Sequence, residues 1–215
     1  MISDRQIDLL IERFIDRIEQ ANSYYLQKLG ESVKKIRTLT PTQAQQLVQI
    51  LKYNGDYEEI IARISKLTNL DIKEIDELFS EFAKKDQLFY EKFYKYKDVP
   101  FVGYVQNEAL KRQTQALANI AKQEMYNFAR SNALGYSIRD LKGRVQFIGL
   151  RETYERVLDE AVLNVGTGID TFDNAMSRIM KEIGGSGLKT LDYNGRSIRL
   201  DSMVRQHLKG ALRQL

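Results

Sequence analysis

The chain offers one imidazole, His207. A general-base role for it would need a serine to deprotonate and a carboxylate to orient the ring. No serine elbow accompanies it, so a surface or packing position on a basic helix is the favoured reading. Cysteine is absent from all 215 residues. That excludes disulfide frameworks, thiolate metal sites, iron–sulfur clusters and cysteine nucleophiles. With a single histidine, zinc would have to be held by carboxylates alone. The paired acids Glu58-Glu59 and Asp159-Glu160 fall on solvated helix faces without ligand spacing. No catalytic, cofactor-binding or metal-ligating residue is assigned, no cofactor is expected, and the chain reads as a non-enzyme.

Gly184-Gly-Ser-Gly-Leu-Lys-Thr190 has the residue types of a phosphate loop without their order. Leu188 separates glycine from lysine, and the segment leads from a helix into a strand instead of the reverse. Gly166-Thr-Gly168 lacks the third glycine of a dinucleotide fingerprint and follows a helix, so it reads as a helix end and loop. Seven aromatics (Phe89, Tyr90, Phe93, Tyr94, Tyr96, Phe101, Tyr104) are interleaved with Lys92, Lys95 and Lys97. Rings beside lysines suit stacking on single-stranded nucleic acid. At helical spacing, core packing with the tyrosine hydroxyls reaching water is the stronger expectation.

The net charge of +4 is small but unevenly placed. Residues 188–215 carry six bases against two acids, whereas the first 187 residues carry 27 of each. Five of those six, Arg196, Arg199, Arg205, Lys209 and Arg213, form the candidate contact surface for nucleic acid or an acidic protein face. Pairing with local acids, which would make them internal braces, is the competing expectation.

These residues need elements to position them. Two prolines and 13 glycines point to long helices and away from a loop-rich all-β fold. Ile7, Ile11, Phe14, Ile18, Ala21 and Tyr25 alternate by four and three, a heptad-like stripe on a helix from Ser3 to about Arg37. Such a helix would be roughly 50 Å long, with Gly30 as the place for an early end or bend. Thr40-Pro41 supplies an N-cap and a first helical residue, and that helix stops at Tyr53-Asn-Gly-Asp56. A shorter helix spans Tyr57 to Leu67. Asp71 and Glu74 have capping-box spacing ahead of a helix to about Lys97, with Ile72, Ile75, Phe79, Phe82, Phe89, Phe93 and Tyr96 as its stripe.

After Val99-Pro100 a helix runs from about Gly103 to Asn132. Leu110, Leu117, Ile120 and Phe128 are its large apolar residues, and Ala116, Ala118 and Ala121 permit close helix approach. The stretch Tyr136 to Leu150 is open between helix and strand. A helix from about Arg151 to Val165 follows. Thr171 is expected to cap the next one, through Phe172, Met176 and Ile183, with Gly184-Gly185 as its stop. Residues 188–200 read as a hairpin about Asn194-Gly195, the pair preferred in type I′ turns. That register sets Tyr193 opposite Arg196 and Leu191 opposite Ile198, with Tyr193, Asn194 and Gly195 determining the turn. Asp201 is expected to cap a last helix carrying Met203, Val204, Leu208 and Leu212. The expected fold is mainly α. A long N-terminal helix and helical bundle occupy 1–135, and a small C-terminal α+β module with one β-hairpin occupies 136–215.

Residues Asn164 to Leu215 resemble the phage minor capsid protein family, portal-associated minor head proteins of the minor capsid protein 2 type. The resemblance is carried by Gly166 and Gly168, Phe172-Asp-Asn-Ala-Met176 and Gly184-Gly-Ser-Gly-Leu-Lys-Thr-Leu-Asp-Tyr193. It continues through Asn194-Gly-Arg-Ser-Ile-Arg-Leu-Asp-Ser-Met-Val-Arg205 and Gly210-Ala-Leu-Arg-Gln214. The family pattern near Gly210 usually reads Thr-Gly, where this chain has Lys209-Gly210. Leu117-Ala-Asn-Ile-Ala-Lys-Gln123 resembles an upstream family segment more weakly.

The resemblance implies a minor structural protein of a tailed-phage head, made in the bacterial host cytoplasm and incorporated near the portal. Its implied partners are the phage portal protein and other capsid components, and it implies no catalytic residue. Two alternatives stay open: a DNA-binding protein of the head interior ejected with the genome, and the delivery portion of a phage-borne effector continuing past Leu215. Packaged DNA and a second copy of the chain are the further partners considered. The first residues mix acids with apolar side chains and show no signal or transit pattern, and no apolar run reaches the length of a membrane span.

Overall fold

Helix α1, Asp4–Arg37, runs uninterrupted through Gly30. Every member of the expected stripe is buried, from Ile7, Ile11 and Phe14 to Ile18, Ala21 and Tyr25, and Leu29, Val33 and Ile36 continue it. Burying one large apolar side chain contributes about 1.5–3 kcal/mol, so this stripe outweighs the weak helix propensity of one glycine. The structure, a computed structural model, describes residues 4–53, 56–68, 72–98, 100–128, 133–139 and 142–214. The expected stop at Asn54-Gly55, the Asp71 capping box, the break at Val99 and the helix end at Asn132 lie outside the described residues, as do the side chains of Ile72 and Phe128.

The remaining helices among the described residues are α2 (Pro41–Tyr53), α3 (Asp56–Thr68), α4 (Ile72–Tyr96), α5 (Glu108–Phe128), α6 (Leu150–Asn164), α7 (Ile169–Ser186) and α8 (Leu200–Leu212). Thr40 caps α2 through a box closed by Gln43. The Gln43 N–H donates to Thr40 Oγ1 at 3.4 Å, and the Thr40 N–H donates to Gln43 Oε1 at 3.1 Å. α5 begins later than Gly103, because the Asn107 side chain accepts the Leu110 N–H at 3.0 Å and caps the helix there. Its buried face is Thr114, Ala118, Ala121 and Met125, while Ile120 faces solvent.

Three helix ends also differ from expectation. α7 begins at Ile169, ahead of Thr171, with Gly168 as its N-cap. It then continues through Gly184-Gly185 and stops at Gly187, whose N–H donates to the carbonyls of Ile183 and Gly184. Gly187 sits at φ 67°, ψ 163°, a conformation essentially reserved for glycine, and this places the stop. Asp201 falls inside the first turn of α8 and not before it, a position where its charge suits the helix dipole.

The stretch left open between helix and strand is a hairpin, β1 (Leu134–Arg139) with β2 (Val145–Gly149). It joins the anticipated one, β3 (Lys189–Leu191) with β4 (Ser197–Arg199), in an antiparallel sheet of order β2-β1-β3-β4. In the second hairpin Leu191 pairs with Ser197 and Thr190 with Ile198, one residue off the register expected from a two-residue turn. The loop instead holds three residues, Tyr193 to Gly195, closed by Gly195 N–H to Asp192 O at 3.0 Å and Asp192 N–H to Arg196 O at 2.9 Å. Gly195 alone of these takes positive φ, 74°, the arrangement of a type I turn followed by a bulge.

The chain divides into two compact units, each built from separated segments. The first comprises residues 1–16, 69–127 and 201–215; the second comprises 17–68 and 128–200. In the first, the start of α1 meets α4 and α8, and Phe14, Leu78, Phe79, Leu208 and Leu212 are fully buried. In the second, Tyr25, Tyr136 and Tyr154 lie at the centre, also fully buried. Their hydroxyls are satisfied: Tyr25 donates to Leu150 O at 2.7 Å, Tyr136 bonds Asn22 Oδ1 at 2.9 Å, and Tyr154 meets Ser32 Oγ at 3.1 Å. The Tyr25 and Tyr136 rings tilt against each other at 5.3 Å. Burial raises the pKa of both phenols well above the usual tyrosine value.

One half of an expected core stripe is not core. α4 buries Ile75, Leu78, Phe79, Phe82 and Ala83, and no described residue from Lys84 to Asp98 is buried. Phe89, Phe93 and Tyr96 are 55%, 56% and 82% exposed. Periodicity marks which side of a helix is apolar; it does not say whether anything in the same chain covers that side.

Candidate functional site

The five C-terminal cations fall into two groups. Arg205, Lys209 and Arg213 recur every fourth residue along α8, which places them on one helical face. On α1, Asp4, Asp8 and Glu12 recur with the same spacing. The two rows meet within the first unit. Arg213 Nη2 bonds Asp4 Oδ1 at 2.7 Å, while Lys209 Nζ and Arg205 Nη1 reach Asp8 Oδ1 at 2.6 and 2.8 Å. Arg205 Nη2 lies 3.8 Å from Glu12 Oε2. The Lys209 ammonium, with Arg205 beside it, outweighs partial desolvation and holds the Asp8 carboxyl below the usual carboxylate range. The Asp4 carboxylate raises the Arg213 guanidinium correspondingly.

Arg196 and Arg199 belong to the second unit, on the β3–β4 hairpin. Arg196 Nε donates to Asp192 Oδ2 at 2.9 Å, and the other carboxylate oxygen accepts the backbone N–H groups of Asn194 and Arg196 at 2.9 and 2.8 Å. Burial alone would raise the Asp192 pKa. The bonds from Arg196 and from the Asn194 backbone outweigh it, and the carboxyl sits below its usual value. Asp192 thus fixes the turn that sequence spacing assigned to Asn194-Gly195. The Arg199 guanidinium lies against Gly187, where a Cβ would meet its Cζ at 3.5 Å. Tyr193, at the hairpin tip, is 94% exposed.

Arg196, Arg205, Lys209 and Arg213 therefore have acidic partners within their own unit. The sequence contained the signal for three of them, two complementary rows of spacing four. What spacing could not give was that residues 4–12 and 205–213 lie side by side. His207 is half-buried on α8. The glycines of 184–187 end a helix. Among the described residues, no group of three or more His, Asp or Glu side chains is placed to hold a metal ion, and no helix is long and apolar enough to cross a membrane.

No curated protein and no solved structure matches the chain. The profile of the family described as phage minor capsid protein 2 matches residues 2–215, extending the resemblance seen in the C-terminal quarter to nearly the whole sequence. An internally braced helical chain with a small antiparallel sheet, matched from end to end by that profile, belongs to the phage minor capsid protein 2 family.

Proposed function

We propose that the protein is a minor structural component of the tailed-phage head that enters the particle near the portal during assembly. Family membership over residues 2–215 is the observation that carries this reading and makes the chain a structural protein of the head. The position beside the portal is the finer part. Arg196 and Arg199, on the hairpin, are assigned to partner contact. Arg205, Lys209 and Arg213 are assigned the prior task of holding α8 against α1, which leaves them less free to bind packaged DNA.

Co-expression with the portal protein of the same phage, followed by size-exclusion chromatography with light scattering, tests the assignment. Co-elution at a fixed stoichiometry, unchanged by nuclease and moderate salt, is the expected outcome. A chain that elutes alone or only with itself, and that binds DNA with steep salt dependence, would replace it with a nucleic-acid role.

A further inference from the structure

We propose that Asn194 is a site of spontaneous covalent modification, by ring closure onto the Gly195 nitrogen with loss of ammonia, and that the turn held by Asp192 keeps this reaction latent in the folded chain.

Asn194-Gly195 and Asn54-Gly55 are the two Asn-Gly pairs of the sequence. In such a pair the backbone nitrogen of the glycine can attack the side-chain carbonyl of the asparagine. A bond forms between Gly195 N and Asn194 Cγ, and the Cγ–Nδ2 bond breaks. The proton shed by the attacking nitrogen leaves with the amide as ammonia. Water then opens the five-membered imide at either carbonyl. One opening leaves aspartate at position 194; the other carries the main chain through the former side chain, as isoaspartate. Glycine favours the attack because it has no Cβ to obstruct it. Asn194 and Gly195 are both exposed at the hairpin tip, and a Cβ built on Gly195 meets nothing within 4 Å. Water has access, and ammonia has a way out.

The fold withholds the geometry. Asn194 is the third residue of a type I turn, where ψ lies at about 0°. At that angle the Gly195 nitrogen eclipses the backbone nitrogen of Asn194, whereas ring closure needs it turned to the Cβ side. Turning it would break the bond from Gly195 N–H to Asp192 O, 3.0 Å long, which also engages the proton that the attacking nitrogen must shed. Asp192 secures both flanks of the same peptide. One carboxylate oxygen accepts the N–H groups of Asn194 and Arg196 at 2.9 and 2.8 Å, and the other accepts Arg196 Nε at 2.9 Å. Asp192 is itself buried, so the anchor is fixed. Ring closure must wait for local opening of the loop, and its rate follows the population of the open form.

The products differ from the parent in charge and in chain length. Residues 192–199 carry Arg196 and Arg199 against Asp192. A carboxylate at position 194 balances them and removes the net positive charge of the hairpin. Isoaspartate also adds a methylene to the main chain of a three-residue loop whose closure sets the pairing of β3 with β4.

The test incubates the full chain at neutral pH, folded or in urea, and then maps its peptides by mass spectrometry with isoaspartate detection. Tryptic peptides 190–196 and 53–63 report the two Asn-Gly pairs separately. The unfolded chain is expected to convert at Asn194, and the folded chain at least about tenfold more slowly, a factor that hydrogen bonds to a charged acceptor supply. Folded Asp192→Ala should recover at least about tenfold of that rate. Asp192→Asn, which keeps an oxygen for the two backbone N–H groups, should restore part of the protection. Slowed amide exchange at Gly195 in the wild-type chain checks the same opening without any variant. A folded chain that converts as fast as the unfolded one, or a Gly195 amide that exchanges as in an open loop, overturns the latent state. Asp192→Ala that converts as slowly as wild type, or no rescue by Asp192→Asn, removes Asp192 as the holder. An unfolded chain without conversion at Asn194 overturns the site itself.

Discussion

A few carboxylates settle what the basic residues do. Asp8 takes two cations and Asp192 holds a turn with one side chain, and both have pKa values below the ordinary 3.8. A carboxyl depressed in the folded state stabilises the fold above its unfolded pKa, and the contribution disappears as pH falls through the folded value. Stability should therefore drop on acidification below about pH 4. In Asp8→Asn the acid-dependent loss should be smaller, with melting already lowered at neutral pH and the difference shrinking at high salt. Urea unfolding midpoints across pH check this; an unchanged pH profile in the variant would remove Asp8 from the account. The spacing of Asp4, Asp8 and Glu12 was legible as a row. Its partner row lies nearly 200 residues away, and no local pattern joins the two.

The element with least tolerance is β1. Gly135 pairs with Gly149 across β2 and with Lys189 across β3. A Cβ there would lie 2.0 Å from the Ile148 carbonyl oxygen and 2.7 Å from Phe147 Cζ. Backbone cannot yield as a flexible side chain can, so Gly135→Ala should cost about 3 kcal/mol or more and loosen the β1–β2 pairing. Amide exchange of β1 and β2, read beside the melting temperature, checks it; near wild-type protection would show that the strands have room. Helices were the most readable elements, because a 3.6-residue stripe reports burial directly, and the α1 stripe is buried along its whole length. The β1–β2 hairpin was not readable as strand, since Leu134 to Ile138 is buried on both faces and loses the alternation that identifies a half-exposed strand. The hairpin register was read from the Asn-Gly pair, whereas the Asp192 carboxylate decides it, and one added loop residue turns every side chain of a strand over.

For the whole molecule, family membership is shown over nearly all of the chain, and composition already pointed toward packing and away from catalysis. The two units are each assembled from distant segments, α1 contributing to both. A truncation meant to isolate one unit would therefore cut the other, and variants are best studied in the full chain. The candidate contact surface changes accordingly: Arg205, Lys209 and Arg213 hold α8 against α1, and the aromatic residues at the end of α4 are exposed. Sequence periodicity showed that end as core, because coverage depends on tertiary neighbours that no spacing encodes. The central claim is a place in the particle, so the most direct measurement is its location in intact heads by cryo-electron microscopy, with density assigned by comparison with heads lacking the protein. The expected result is difference density confined to the portal vertex and retained after genome release. Density spread over the shell, or lost when the DNA leaves, would contradict the portal-associated structural role.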